Sequence, residues 1–170
     1  QKLIEYLAKR KSTSDSAFTL VELIVVVVII GILSAIAIPS FQNAGDKAKQ
    51  KEASTLVSSY IKAAQAYYTE YSMMPYRASD LGQYVAVTGC RQVNPTWCKT
   101  NAATNYTNSG ATSWVSPSGY FQIYLQRSGT RFLVRALPAG QYSGSGFGVA
   151  GCYNSATGSA KVVESTNKGR

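Results

Sequence analysis

The hydrophobic rhythm of this chain changes twice along its length. Residues 18–41 read FTLVELIVVVVIIGILSAIAIPSF, apolar on every face of a helix, with Glu22 the only charge among them. Further on, Ala53, Leu56, Val57, Tyr60, Ile61, Ala64, Tyr67, Tyr68 and Tyr71 recur in steps of three and one. That spacing makes one helical stripe, and Lys47, Lys49, Lys51, Lys62 and Glu70 fall mostly off it. The pattern predicts a long helix, apolar all round in its first half and amphipathic in its second, with a helix over 42–71 stopped by Pro75. Residues 72–118 are rich in Ser, Thr, Asn, Gly and Pro and read as a loop with a short helix near 78–84. The rhythm then becomes alternation: Phe121, Ile123 and Leu125 against Gln122, Tyr124 and Gln126, then Phe132, Val134 and Ala136 on one face of 131–137. Residues 147–153 and 160–164 read as two more strands about a turn at 154–158. The expected fold is α+β: the amphipathic half-helix packed on an antiparallel sheet of three to four strands within 119–165.

The apolar run sets the domain organisation. At about 1.5 Å per residue its 24 residues make a helix of roughly 36 Å, enough to cross a hydrocarbon core of about 30 Å. A plain single-pass anchor would explain the run but not Glu22, since a carboxylate at a helix centre costs roughly 2.5–3.5 kcal/mol in lipid. The preceding residues suggest its partner. Residues 1–17 carry Lys2, Lys9, Arg10 and Lys11 against Glu5 and Asp15, a balance of +2, which leaves +7 of the total +9 to the remainder. Lys9, Arg10 and Lys11 keep the N-terminus on the cytoplasmic side. The residues after the apolar core, Ile38, Pro39, Ser40 and Phe41, make a poor signal-peptide cleavage site. The small-residue junction is Ser16-Ala17-Phe18, before the core. Cleavage there removes a basic leader, keeps the helix, and creates an α-amino group four residues from Glu22. The chain opens on Gln1 rather than Met, so a short preceding piece is expected.

Ala17, Phe18, Thr19, Leu20, Val21, Glu22 and Leu23, running on through Gly31 to Pro39, resemble the type IV prepilin family. Ala17 stands where most members have glycine. QNAGDKAKQKEASTLVSSYIKAAQAYYTEYS and GFGVAGCYN resemble, more specifically, the major pilins of cyanobacteria. The resemblance implies cleavage between Ala17 and Phe18 by a prepilin peptidase, N-methylation of Phe18, and residence in the cytoplasmic membrane. Through an assembly platform and an outer-membrane secretin, the subunits would then polymerise into a surface filament. Motility, adhesion or DNA uptake are the uses the family implies. Glu22 is expected to meet the Phe18 amine of a neighbouring copy. Gly31 and Pro39 are expected weak points: Pro39 removes one helical hydrogen bond at about 3 kcal/mol, and Gly31 adds flexibility. A pseudopilin of a type II secretion system, or a minor pilin, is the alternative within the class. A membrane-anchored binding module is the alternative outside it.

Three cysteines fit an oxidising compartment. Cys90 and Cys98 flank Pro95 and would close a short loop, with Cys152 unpaired or an alternative partner to either. Zinc is not expected, because the chain has no histidine and no C-x-x-C pair. The missing histidine, the scattered acids Asp46, Glu52, Glu70, Asp80 and Glu164, and the lack of a nucleophile or phosphate-loop motif argue against an enzyme or a cofactor. Tyr60, Tyr67, Tyr68 and Tyr71 read as core or subunit-interface aromatics. Arg127, Arg131 and Arg135 on one hairpin, with Tyr120 and Tyr124, sketch a surface for non-specific binding of DNA or other polyanions. A solvated sheet face accounts for them more simply.

Overall fold

The two helical patterns fall on a single helix. In the computed structural model, which describes residues 18–144 and 146–168, α1 (Leu20–Tyr71) takes in both stretches and stays helical through Gly31 and Pro39. The leader 1–17, Ala17 included, lies outside the described residues. The chain divides into two compact units, Gln1–Phe41 and Gln42–Arg170.

In the first unit the apolar side chains of α1 have nothing laid over them among the described residues. Leu23, Ile30 and Ile36 are 63, 56 and 71% exposed. The helix is long and apolar enough to cross a membrane.

In the second unit α1 carries the expected stripe. Ala53, Val57, Tyr60, Ile61, Ala64 and Tyr67 are buried, and Leu56 and Tyr68 pack partly buried beside them. Tyr71 reaches the rim instead and donates its hydroxyl to Gln83 Oε1 at 2.9 Å. Facing the stripe is an antiparallel sheet of five strands: β3 (Ser113–Val115), β4 (Phe121–Ser128), β5 (Arg131–Pro138), β6 (Phe147–Asn154) and β7 (Ser159–Lys168). Their spatial order is their chain order, so each pairs with its predecessor. Phe121, Ile123, Phe132, Val134, Ala136 and Val149 point at α1 and form the core. Gly151 sits where β6 passes closest to the helix; a Cβ there would lie 2.5 Å from Val57 Cγ1.

The sheet exceeds the expected three to four strands by β3, and it runs from Ser113 to Lys168 rather than over 119–165. Three residues are too few to show alternation. The strand is held by Trp114, which pairs with Ile123 and sets its ring edge-on to Tyr60 at 5.4 Å. The stretch 72–118 is also more ordered than its composition suggests. It contains α2 (Ala78–Gly82), as expected near 78–84, and α3 (Pro95–Thr100). A two-stranded sheet of β1 (Thr88–Gly89) and β2 (Thr104–Asn105) completes it. α3 starts because Asn94 Oδ1 accepts from the backbone N–H groups of Thr96 and Trp97, while Pro95 takes the first helical position, where no N–H is needed.

A polar side chain joins α1 to the sheet's last pairing. β6 and β7 slip register between Phe147 and Val149. Gln50, with no exposed surface, donates Nε2 to Gly148 O at 3.1 Å and Ser165 O at 2.8 Å. It thereby supplies donors to carbonyls at the irregularity.

Candidate functional site: helix start, disulfide loop and outer sheet face

Thr19 and Glu22 build the start of α1. Thr19 Oγ1 accepts from the Glu22 backbone N–H at 3.2 Å, while Glu22 Oε2 accepts from the Thr19 backbone N–H at 2.9 Å and from its hydroxyl at 2.8 Å. This reciprocal pair is a capping box, and it satisfies donors that a helix start leaves free. The first turn closes with Leu23 N–H on Thr19 O at 3.2 Å. Phe18, just outside, is 87% exposed. Thr19 carries a role the charge argument overlooked, although T-x-x-E ahead of an apolar run is the sequence signature of such a box. Glu22 therefore has an intramolecular partner whatever it meets in an assembly.

Cys90 and Cys98 are bridged, with sulfurs 2.04 Å apart, and Cys152 is free and exposed on β6. The disulfide loop rests on two turns that only glycine fits. Gly119 has φ +77°, and a Cβ on it would lie 2.5 Å from Cys98 Sγ. Gly140 has φ +60°, and its Cβ would lie 2.7 Å from Val93 O. The bridge thus braces the turns flanking β4 and β5.

The arginine cluster is divided by the sheet. Strand register pairs Ser128 with Arg131 and Arg127 with Phe132, so Arg127 lies on the face toward α1. Its Nη1 donates to Met74 O at 3.2 Å and its guanidinium stands 5.4 Å from the Tyr76 ring centre. Tyr120 also leaves the group; it packs edge-on to Tyr142 at 5.4 Å, with Lys49 Nζ 4.7 Å from its ring centre. Arg131, Arg135 and Tyr124 remain on the outer face. They gain Lys161, which the sequence reading passed over, since Cys152 pairs with both Leu133 and Lys161 across the sheet.

Comparison with known proteins bears on the helix start. The model for the prokaryotic N-terminal methylation motif matches residues 13–38, which takes in Ala17, Phe18, Glu22 and Gly31. This segment therefore places the chain in the class of proteins carrying that motif. The type IV major pilin PilA of Myxococcus xanthus (strain DK1622) is 38% identical over 73 residues, 43% of this chain and 33% of that protein. PilE1, a type IV major pilin of Neisseria gonorrhoeae, is 35% identical over 83 residues, 44% and 39% of the two chains. Fimbrial protein EcpC of Eikenella corrodens is 36% identical over 75 residues, 44% and 49%. The similarity to type IV major pilins covers a little over two fifths of this chain. It spans between a third and a half of the length of these relatives. No solved structure matches it.

Proposed function

We propose that this protein is the structural subunit of a type IV pilus, held in the cytoplasmic membrane as a precursor and polymerised through the first half of α1. The observation that carries this reading is an uncovered apolar half-helix that opens on a capped carboxylate, inside a segment matching the methylation motif. A prepilin peptidase cuts between Ala17 and Phe18 and Phe18 is N-methylated. The leader stays in the cytoplasm, residues 42–170 are exported, and an assembly platform and outer-membrane secretin carry the filament to the surface. Such a subunit works by packing and needs no active site.

In this reading assembly exchanges lipid for sister helices around residues 18–41. Apolar burial is conserved in that exchange, so register must come from polar contacts. Both bonds that Glu22 accepts from Thr19 use Oε2, which leaves Oε1 for the ammonium of Phe18 on a neighbouring copy. Gly31 and Pro39 let the helix loosen when the filament is stretched. Strong amide protection throughout 31–39 in assembled filaments would count against that part. Subunits of +7 also bind DNA and other polyanions through their charge.

N-terminal sequencing of the mature protein tests the reading. A start at N-methyl-Phe18, in protein sheared from the cell surface as filaments, supports it. A mature chain that keeps its leader overturns it in favour of a membrane-anchored module.

A further inference from the structure

We propose that the outer face of the sheet, between Arg131, Arg135 and Lys161, is a binding groove for a single strand of nucleic acid, with phosphates on the three cations and a base on Tyr124. The proposal gives a site to the polyanion binding just described. It leans on the pilin reading only for the idea that this face looks outward from a filament.

The placement follows from register. Arg131 and Arg135 lie four residues apart on β5, about 13 Å along one face at roughly 3.3 Å per residue. Lys161 falls in the row between them, two strands away, through the Leu133–Cys152–Lys161 pairing. Tyr124 pairs directly with Arg135 and is 40% exposed. Together with Gln126 and Cys152, the two arginines and this tyrosine line a recess of about 910 Å³ that Arg127 and Tyr76 also border and that Lys161 lies outside, within the range of small-ligand sites. Arg135 is held in place by Nη2 donating to Gln126 Oε1 at 2.9 Å, while its Nε is buried with no acceptor among the described residues. A buried guanidinium donor left without an acceptor is uncommon.

Among the described residues the chain's own acids do not answer this charge. Asp46 pairs with Lys49 and Glu164 with Lys51. Glu70 accepts from the Tyr84 hydroxyl, Asp80 from the backbone of Tyr76 and Arg77, and Glu22 from Thr19. Glu52 lies on α1, which packs on the opposite face of the sheet. A second copy therefore has little to offer the groove, and a foreign polyanion fits it. Guanidinium groups suit phosphate oxygens. The exposed ring beside Arg135 favours a strand with free base faces over a polyuronate, which offers none. A recess in a sheet admits a thin chain more readily than a duplex.

The test uses the full chain solubilised in detergent and a fluorescent oligo-dT, read by anisotropy across a salt series, so it needs no filament and can fail separately from the pilin reading. R131A/R135A should weaken binding about tenfold at low salt and reduce the salt slope by about 0.7 per cation removed. K62A/K99A, which removes the same charge elsewhere, should change affinity less than twofold. Y124A should weaken binding about fivefold with the slope unchanged. Bound strand should slow thiol modification of Cys152 on the groove wall several-fold. R131K/R135K keeps the charge and should recover most of the affinity, which separates charge from folding. Equal losses in the two alanine pairs, or unchanged Cys152 reactivity at saturation, overturn the site. Tighter binding of duplex DNA or of a polyuronate overturns its occupant.

Discussion

Glu22 reaches back to Thr19 with one carboxylate oxygen, taking both the backbone N–H and the hydroxyl of that residue. The same side chain is thus a helix cap and the proposed assembly charge, and two substitutions separate the roles. Gln at this position can still close a capping box, so Glu22→Gln should leave membrane levels of the subunit near normal while surface filaments disappear. Thr19→Ala removes the cap at about 1 kcal/mol but keeps the charge, and filaments should persist. Sheared-filament yield against total subunit by immunoblot distinguishes them. Normal filament yield from Glu22→Gln would reduce the residue to a cap.

Gln50 is the buried polar link between helix and sheet. Gln50→Leu leaves the carbonyls of Gly148 and Ser165 without their donor, at about 1–3 kcal/mol. The thermal midpoint of the solubilised chain should fall by roughly 5–10 °C, followed by near-ultraviolet circular dichroism. Gln65→Leu on the same helix, away from these carbonyls, should move it by less than a third as much.

Gly119 carries two constraints and Gly129 carries one. Both have positive φ, but only Gly119 has Cys98 Sγ where its Cβ would stand; Gly129 faces open space. Gly119→Ala should therefore cost about 1–3 kcal/mol more than Gly129→Ala, the usual range for overpacking, measured as urea midpoints at fixed slope.

Tyr142 makes stability fall at alkaline pH. Burial, with the nearby Asp46 charge, pushes its phenol up to about 12, while its hydroxyl donates to Asp46 O at 3.0 Å. A folded-state value above the ordinary one near 10 means the contribution is complete below pH 10 and is lost as pH rises through 12. Tyr142→Phe loses the hydrogen bond, about 1 kcal/mol at pH 8, and with the phenol gone it lacks this dependence on pH. The stability gap between the two proteins should narrow from pH 10 to 12. Both should carry Cys152→Ser, which prevents thiolate attack on the Cys90–Cys98 bridge. A constant gap would refute the assignment.

Much of this molecule could be read from periodicity, and what escaped did so for physical reasons. The stripe from Ala53 to Tyr67 and the four long strands repeat often enough to stand out. Gln50 is fully buried yet polar, so no apolar pattern reveals it; only the register slip between β6 and β7 shows what it is for. β3 is too short for alternation and depends on one residue, Trp114. α3 depends on an Asn-Pro start rather than on an amphipathic face. Arg127 was separable by counting: a two-residue hairpin turn at Gly129–Thr130 pairs Arg127 with Phe132, so it must share the core face. The same counting along β7 brings Lys161 beside Cys152. At the helix start, the oddity of a charge in an apolar run drew attention to an external partner, when the nearest one was three residues away.

Because the strands lie side by side in the order they are written, each can zip onto the one before it with no long crossover. Such a domain can grow from hairpin to hairpin as it emerges on the far side of a membrane, with few wrong pairings open to it. The clasp from Gln50 to Ser165, like the ion pair from Lys51 to Glu164, waits for β7, so a subunit cut short before that strand would remain unlatched.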